Sequence, residues 1–140
     1  TLGEVMTILP FQNTLSTFKV TGEQLLSAIE NGVSEVEEVA GRFPQVSGMR
    51  YTFDPSKPPN DGRVTSIEID EGGNWVPLDL DKTYGMVSNN FIRGGGDGYK
   101  VFRSASDIYD FGPDLADVVA NYIGSNPGYS GYTDGRINQN

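Results

Sequence analysis

The run Asn90-Phe91-Ile92-Arg93-Gly94-Gly95-Gly96-Asp97-Gly98-Tyr99 gathers residue types suited to holding a small ligand. Consecutive glycines lose much backbone freedom on folding and bury no side chain. They stand where φ must be positive or where another group comes close to the backbone. An aromatic ring precedes them and a carboxylate lies among them. That combination suits a visitor with a flat face and hydroxyl groups, as a nucleoside has. It suits equally a tight loop with one solvated Asp and two core aromatics, since Asp-Gly is a common turn dipeptide.

Other chemistries are constrained by what the chain lacks. It has no His and no Cys, so the commonest general base, the commonest metal ligand and the best nucleophile are missing. A Ser-His-Asp triad is impossible, and a zinc site would need carboxylates alone, which is rare. Acids are plentiful, so carboxylate chemistry of the glycosidase type stays open. No acid, however, sits in an obviously apolar surround that would raise its pKa. Asp79 and Asp81 flank Leu80 near a turn, but without a full loop of oxygen ligands, so no calcium is expected there. The net charge of −9 and the scattered basic residues argue against binding a nucleic-acid duplex, which needs clustered Lys and Arg. No apolar run is long enough to span a bilayer, and no signal-peptide pattern opens the chain.

Presenting the glycine loop requires a scaffold, and 140 residues make one domain with one core. Thr1 to Leu9 reads as a short helix with Thr1 as N-cap and Leu2, Val5, Met6 and Leu9 on one face. A start inside an element is unusual and leads us to expect a piece of a longer protein. Pro10 ends the helix and Phe11-Gln12-Asn13 makes a corner. Thr14 to Val20 is β-branched and aromatic, a strand. Thr21 and Gln24 form a capping box, with Val20 and Leu25 as a hydrophobic staple, ahead of a helix whose face is Leu25, Leu26, Ile29 and Val33. Glu35 to Glu38 is read as a solvated acidic loop.

Met49, Tyr51 and Phe53 alternate with polar residues in a half-buried strand. Asp54 to Gly62, with three prolines, is a surface loop. Val64 to Asp70 and Trp75 to Leu78 form a hairpin about Glu71-Gly72-Gly73-Asn74, and Pro77 places the return strand at an edge. Thr83 to Asn89 is the strand that delivers the glycine loop. A last helix is expected with Pro113 at its first position, Asp114 and Asp117 near its positive end, and Gly124 just past its end. Leu115, Val118, Val119, Tyr122 and Ile123 follow its spacing. The fold class is α+β: a single domain with a mixed or antiparallel sheet packed by two or three helices.

Several segments together resemble one family. Ile8-Leu9-Pro10-Phe11-Gln12-Asn13-Thr14-Leu15 is similar to its opening "LPF-x-N-x-L" segment. Thr21-Gly22-Glu23-Gln24-Leu25-Leu26, followed by Glu30-Asn31-Gly32-Val33, is similar to its first long helix. Phe43-Pro44-Gln45-Val46-Ser47-Gly48 resembles its "FPQVSG" loop. Asn90-Phe91 through Gly94-Gly95-Gly96-Asp97-Gly98-Tyr99 resembles its "N-x-F-x-x-GGDG-[YF]" loop, without the residue between Asn and Phe. Gly135-Arg136-Ile137 resembles its closing "GRI". The family is the 5′-nucleotidases, and the part resembled, over residues 1–140, is their C-terminal, nucleoside-binding domain.

The resemblance implies a parent hydrolase. Its N-terminal metallophosphoesterase domain, absent from this chain, would hold two divalent metal ions that polarise the phosphate and supply hydroxide. The chain itself would hold no cofactor and no catalytic residue. It would bind the nucleoside end of the substrate and carry it to the metals by domain rotation. Phe11 and Phe91 match the family's two base-stacking aromatics, worth roughly 1–3 kcal/mol per base. Asp97 matches the carboxylate that accepts from the ribose hydroxyls. Gly95 and Gly96 would let the sugar approach the backbone. Phe43 and Tyr99 are taken as packing residues. Arg93 is close enough to meet an anion, but no family role carries onto it. The family's "NGGGIR" segment would fall before Thr1. The same architecture serves UDP-sugar hydrolases and 2′,3′-cyclic-nucleotide phosphodiesterases. A non-catalytic cell-surface module is the reading from another class. Family habit implies an extracytoplasmic location: periplasmic, secreted or cell-wall attached.

Overall fold

The strand Leu15–Thr21 (β1) is the centre of a three-stranded antiparallel sheet in the computed structural model, which describes residues 1–140. Its neighbours are Thr83–Asn89 (β5) and Ser106–Tyr109 (β6). The pairing of β1 with β5 is regular from Leu15↔Asn89 to Thr21↔Thr83. The pairing with β6 shifts register between Thr17 and Lys19. Alternate residues Ser16, Phe18 and Val20 are buried, the period-2 pattern of a strand with one covered face.

A second, four-stranded sheet runs in the order Asn74–Pro77 (β4), Val64–Glu71 (β3), Met49–Phe53 (β2), Ile137–Gln139 (β7). It is antiparallel except that β7 lies parallel to β2. The α+β domain thus divides its strands between two sheets. Pro77 ends the edge strand β4, where its missing N–H leaves no ladder bond unmade.

The helix Gly22–Gly32 (α2) contacts both sheets and joins them into one core. Its capping box is complete: the Thr21 hydroxyl accepts from the Gln24 N–H, and the Gln24 side chain accepts from the Thr21 N–H. Leu25, Ile29 and Val33 are buried against Phe18, Tyr51 and Phe53, each contributing about 1.5–3 kcal/mol by leaving water. Gly22 is needed because a Cβ there would lie 2.1 Å from the carbonyl oxygen of Asp79.

The first helix, Leu2–Ile8 (α1), is capped by Thr1 with Glu4, and buries only Val5; Leu2 and Met6 face solvent, unlike the continuous apolar face expected. The last helix, Leu115–Ser125 (α4), differs from expectation at both ends. Asp114 is its N-cap, accepting from the N–H groups of Ala116 and Asp117, so Pro113 lies before the cap. Gly124 is inside the helix and Asn126 closes it. The acidic run is not merely solvated either. Val36–Glu38 forms a 3₁₀ turn, and Glu35 and Glu37 pair with Arg42 and the buried Arg63. A guanidinium buried at 63 needs such a partner.

Candidate functional site

The two sequence segments expected to carry the site leave the β1–β5 ladder at the same end. The Asn90 N–H donates to the Thr14 carbonyl at 3.0 Å, and the Thr14 N–H donates to the Asn90 Oδ1 at 3.1 Å. Phe11 lies three residues before that junction and Phe91 one residue after it. Both rings are open to solvent, 74% and 51% exposed. An exposed large aromatic forgoes its burial energy, and Phe111 and Tyr132 at 83% and 65% do the same elsewhere on the surface.

Between β5 and the glycines lies a feature the sequence did not announce, the one-turn helix Asn90–Arg93 (α3). The Asn89 side chain caps it by accepting from the Ile92 N–H at 2.8 Å. The turn swings Phe91 outward and lays its ring on the glycine loop: a Cβ on Gly96 would meet Phe91 Cε1 at 2.4 Å. Gly95 has φ +95°, and a Cβ there would meet Arg103 Nε at 2.5 Å. The close approaches that these glycines permit are therefore made first by the protein's own side chains. Asp97 follows directly after Gly96, exposed, with φ 50° in the left-handed region. Asp is one of the few residues that enters that region at low cost.

Two polar residues outside the motif brace this loop. Asn31, at the end of α2, donates from Nδ2 to the Asp97 carbonyl at 3.1 Å, and its Oδ1 sits where a Cβ on Gly98 would stand. Arg103 donates from Nε to the Gly94 carbonyl at 2.9 Å. Sequence reasoning missed both roles; the only signal was the place of Asn31 in the Glu30-Asn31-Gly32 segment. The loop backbone is thus held from two sides, at the carbonyls of Gly94 and Asp97.

Arg93 is not free to meet an anion as the sequence suggested. Its Nε donates to Asp110 Oδ1 at 2.8 Å and its Nη2 pairs with Oδ2. Ser16 Oγ also donates to Asp110 Oδ1, at 2.6 Å, and Thr14 Oγ1 to the Asp110 carbonyl, at 2.5 Å. The Arg93 guanidinium, and secondarily the Ser16 hydroxyl, hold the Asp110 carboxyl below its ordinary value. This network ties β1 to α3 through Asp110.

Phe43 and Tyr99 behave as packing residues. Tyr99 is buried, stacks on Phe102 with ring centroids 5.5 Å apart, and donates its hydroxyl to the Arg42 carbonyl at 2.6 Å. Burial, assisted by the charge of Asp97, pushes the Tyr99 phenol up to about 12. Tyr51 donates likewise to the Pro44 carbonyl at 3.0 Å. The two hydroxyls fasten the segment 41–48 onto the core. A cavity of about 890 Å³ is lined by that segment together with Ser88 and Ile92, but not by Phe11, Phe91 or Asp97. No three His, Cys, Asp or Glu side chains are grouped to hold a metal ion, and no helix is long and apolar enough to cross a membrane.

Comparisons with known proteins bear on the family and the fold. The sequence model of the family described as 5′-nucleotidase, C-terminal domain, matches residues 1–104. The trifunctional nucleotide phosphoesterase protein YfkN of Bacillus subtilis is 45% identical over 113 residues, which is 80% of this chain and 8% of that protein. A snake venom 5′-nucleotidase from Macrovipera lebetinus is 32% identical over 127 residues, 88% of this chain and 31% of its own length. The crystal structure of a 5′-nucleotidase precursor from Thermus thermophilus superposes on 99% of this chain with a TM-score of 0.94 and 43% identity, using 27% of its own chain. The chain thus spans less than a third of the length of each of these relatives.

Proposed function

The chain belongs to the 5′-nucleotidase family, as its C-terminal domain, and from that premise we propose that it holds the nucleoside moiety of a nucleotide while a metallophosphoesterase domain of the same polypeptide removes the phosphate. The observation that carries this reading is the Phe91 ring lying on Gly96 beside Asp97, joined to the Phe11 corner through Asn90 and Thr14. A base slides between two aromatic faces, each worth roughly 1–3 kcal/mol, and any base suffices because every base has a π-face. The ionised Asp97 accepts from both ribose hydroxyls, which a neutral acceptor does less strongly.

The metal-dependent step falls to residues outside this chain, where two divalent ions would supply Lewis-acid activation and a hydroxide. This chain's part is to bind and orient the nucleoside and to exclude water from both faces of the base. Alone it is inactive. Secreted relatives such as the venom enzyme support an extracytoplasmic site of action. Titrating adenosine and AMP against Phe11→Ala and Phe91→Ala in the intact polypeptide tests the proposal. Weakened binding in both is expected, and unchanged affinity in both refutes it.

The Bacillus relative, a trifunctional nucleotide phosphoesterase, favours a second reading in which the same clamp serves UDP-sugars or 2′,3′-cyclic nucleotides as well. A substrate panel on the intact polypeptide separates a narrow nucleotidase from this broader enzyme.

A further inference from the structure

The two corners that carry Phe11 and Phe91 are short. Phe91 sits on α3, a single turn of four residues, and a helix of that length does not persist on its own bonds. Phe11 sits in a bend whose carbonyl accepts from the Asn13 N–H at 2.8 Å. Each corner therefore depends on bonds from elsewhere to keep its place. Asp110, in the link between β6 and α4, bonds to both sides.

Toward α3, the Asp110 carboxylate accepts from Arg93 Nε at 2.8 Å on Oδ1 and from Arg93 Nη2 on Oδ2. This is the two-pronged pairing that gives Arg and carboxylate a fixed mutual geometry. Arg93 lies two residues after Phe91, in the same turn. Toward β1, Oδ1 accepts from Ser16 Oγ at 2.6 Å and the Asp110 carbonyl from Thr14 Oγ1 at 2.5 Å. Thr14 lies three residues after Phe11. Ser16 is buried, and the side chains of Arg93 and Asp110 are only 18% and 24% exposed, so the pair is partly shielded from the water that weakens surface pairs. The carboxylate serves three donors and offers none. An amide in its place would turn an NH₂ toward one of those donors.

We infer that Asp110 is a positioning residue for base recognition: through Arg93 on one side and Thr14 and Ser16 on the other, it fixes the Phe11 and Phe91 corners relative to each other. The inference rests on the nucleoside reading and extends it to a residue beyond 104, where the match to the family model ends. Small drifts of either corner matter, because a gap of about 0.5–1 Å already forfeits roughly a quarter to a half of a dispersion contact. A merely structural ion pair would act on every substrate alike. A positioning pair acts on the base and spares the sugar and phosphate.

Two ligands separate these roles: AMP, and ribose 5-phosphate, which keeps the sugar and phosphate and lacks the base. KM for AMP is compared with KM or competitive Ki for ribose 5-phosphate in the intact polypeptide and in its Asp110→Asn, Arg93→Lys and Phe91→Ala variants. Phe91→Ala should raise the ratio, AMP over ribose 5-phosphate, by about tenfold or more, the loss of one stacking contact. Asp110→Asn and Arg93→Lys should raise it by about threefold or more, a partial loss of the same contact. Arg93→Lys keeps the charge and loses the fork, so it carries the test if Asp110→Asn does not fold. A ratio raised by Phe91→Ala but by neither variant of the pair overturns the inference and leaves the nucleoside reading standing. A ratio unmoved in all three overturns both.

Discussion

The ring of Phe91 fills the space that a side chain on Gly96 would need, its Cε1 lying 2.4 Å from the position of a Cβ there. A ring so supported has one face committed to the protein and the other free. Replacing Gly96 by Ala must push the ring outward, since its Cζ and Cδ1 lie as close. We expect Gly96→Ala to fold but to weaken adenosine binding by the intact polypeptide about tenfold or more, the loss of roughly one stacking contact. Calorimetric titration beside a thermal melt checks both halves; full affinity would show that the ring's position is irrelevant.

Asp97→Asn keeps the left-handed backbone, which Asn also tolerates, and removes the charge. Hydrogen bonds to a charged group are worth about 1.5–3 kcal/mol. The KM for a ribonucleotide should therefore rise by about 10- to 100-fold, and that for its 2′-deoxy analogue by less. Measuring the two substrates on wild type and variant decides the matter, because a merely structural Asp97 would affect both alike.

The Arg93–Asp110 pair makes stability depend on acid pH. Asp110 titrates below its ordinary value in the folded chain, so the unfolded chain binds its proton more readily. The stabilisation is complete above the ordinary Asp pKa of about 3.9 and is lost as pH falls through the lowered folded value. Asp110→Asn should lower stability by about 1–3 kcal/mol at neutral pH. The gap between variant and wild type should close in strong acid, as urea melts at several pH values would show.

At the alkaline end two buried phenols contribute, Tyr51 and Tyr99, both raised by burial, with Tyr99 pushed up to about 12. The ordinary value is about 10, so the Tyr99 contribution is present below that pH and declines as pH rises towards 12. Tyr99→Phe removes its share of this alkaline dependence and leaves that of Tyr51. It also leaves the Arg42 carbonyl without its donor, at a cost of about 1 kcal/mol. Faster amide exchange across residues 41–48 is the local readout.

Gly22→Ala tests the junction of α2 with the loop before β5. A methyl 2.1 Å from the Asp79 carbonyl oxygen cannot be accommodated without moving backbone. Overpacking of this kind costs about 1–3 kcal/mol or more, and a lower melting temperature with unchanged nucleoside specificity is the expected outcome.

Elements with a strong local code were legible in the sequence. Met49–Phe53 alternates in type and alternates in burial, and Thr21 with Gln24 caps α2 as the spacing requires. Elements fixed by distant partners were not. All four residues of β6 are exposed, so no alternation betrays the strand. Only three residues make β7, and they are strand because β2 lies beside them. Phe11, Phe91, Gly95, Gly96 and Asp97 could be named as candidates from their types and spacing alone. The supports of the loop could not, because Asn31 and Arg103 act through side-chain to backbone bonds that have no sequence period. Arg93 misled for a similar reason: its partner is 17 residues away.

The family match ends at residue 104, whereas β6 and β7 lie beyond it, and each is the last rung of a different sheet. A polypeptide cut at that boundary would bare β1 on one side and β2 on the other, strands of seven and five residues with unpaired edges ready to template foreign chains. The stretch beyond residue 104 thus guards the molecule against clumping, and a recombinant fragment trimmed to the matched region would be recovered as sediment.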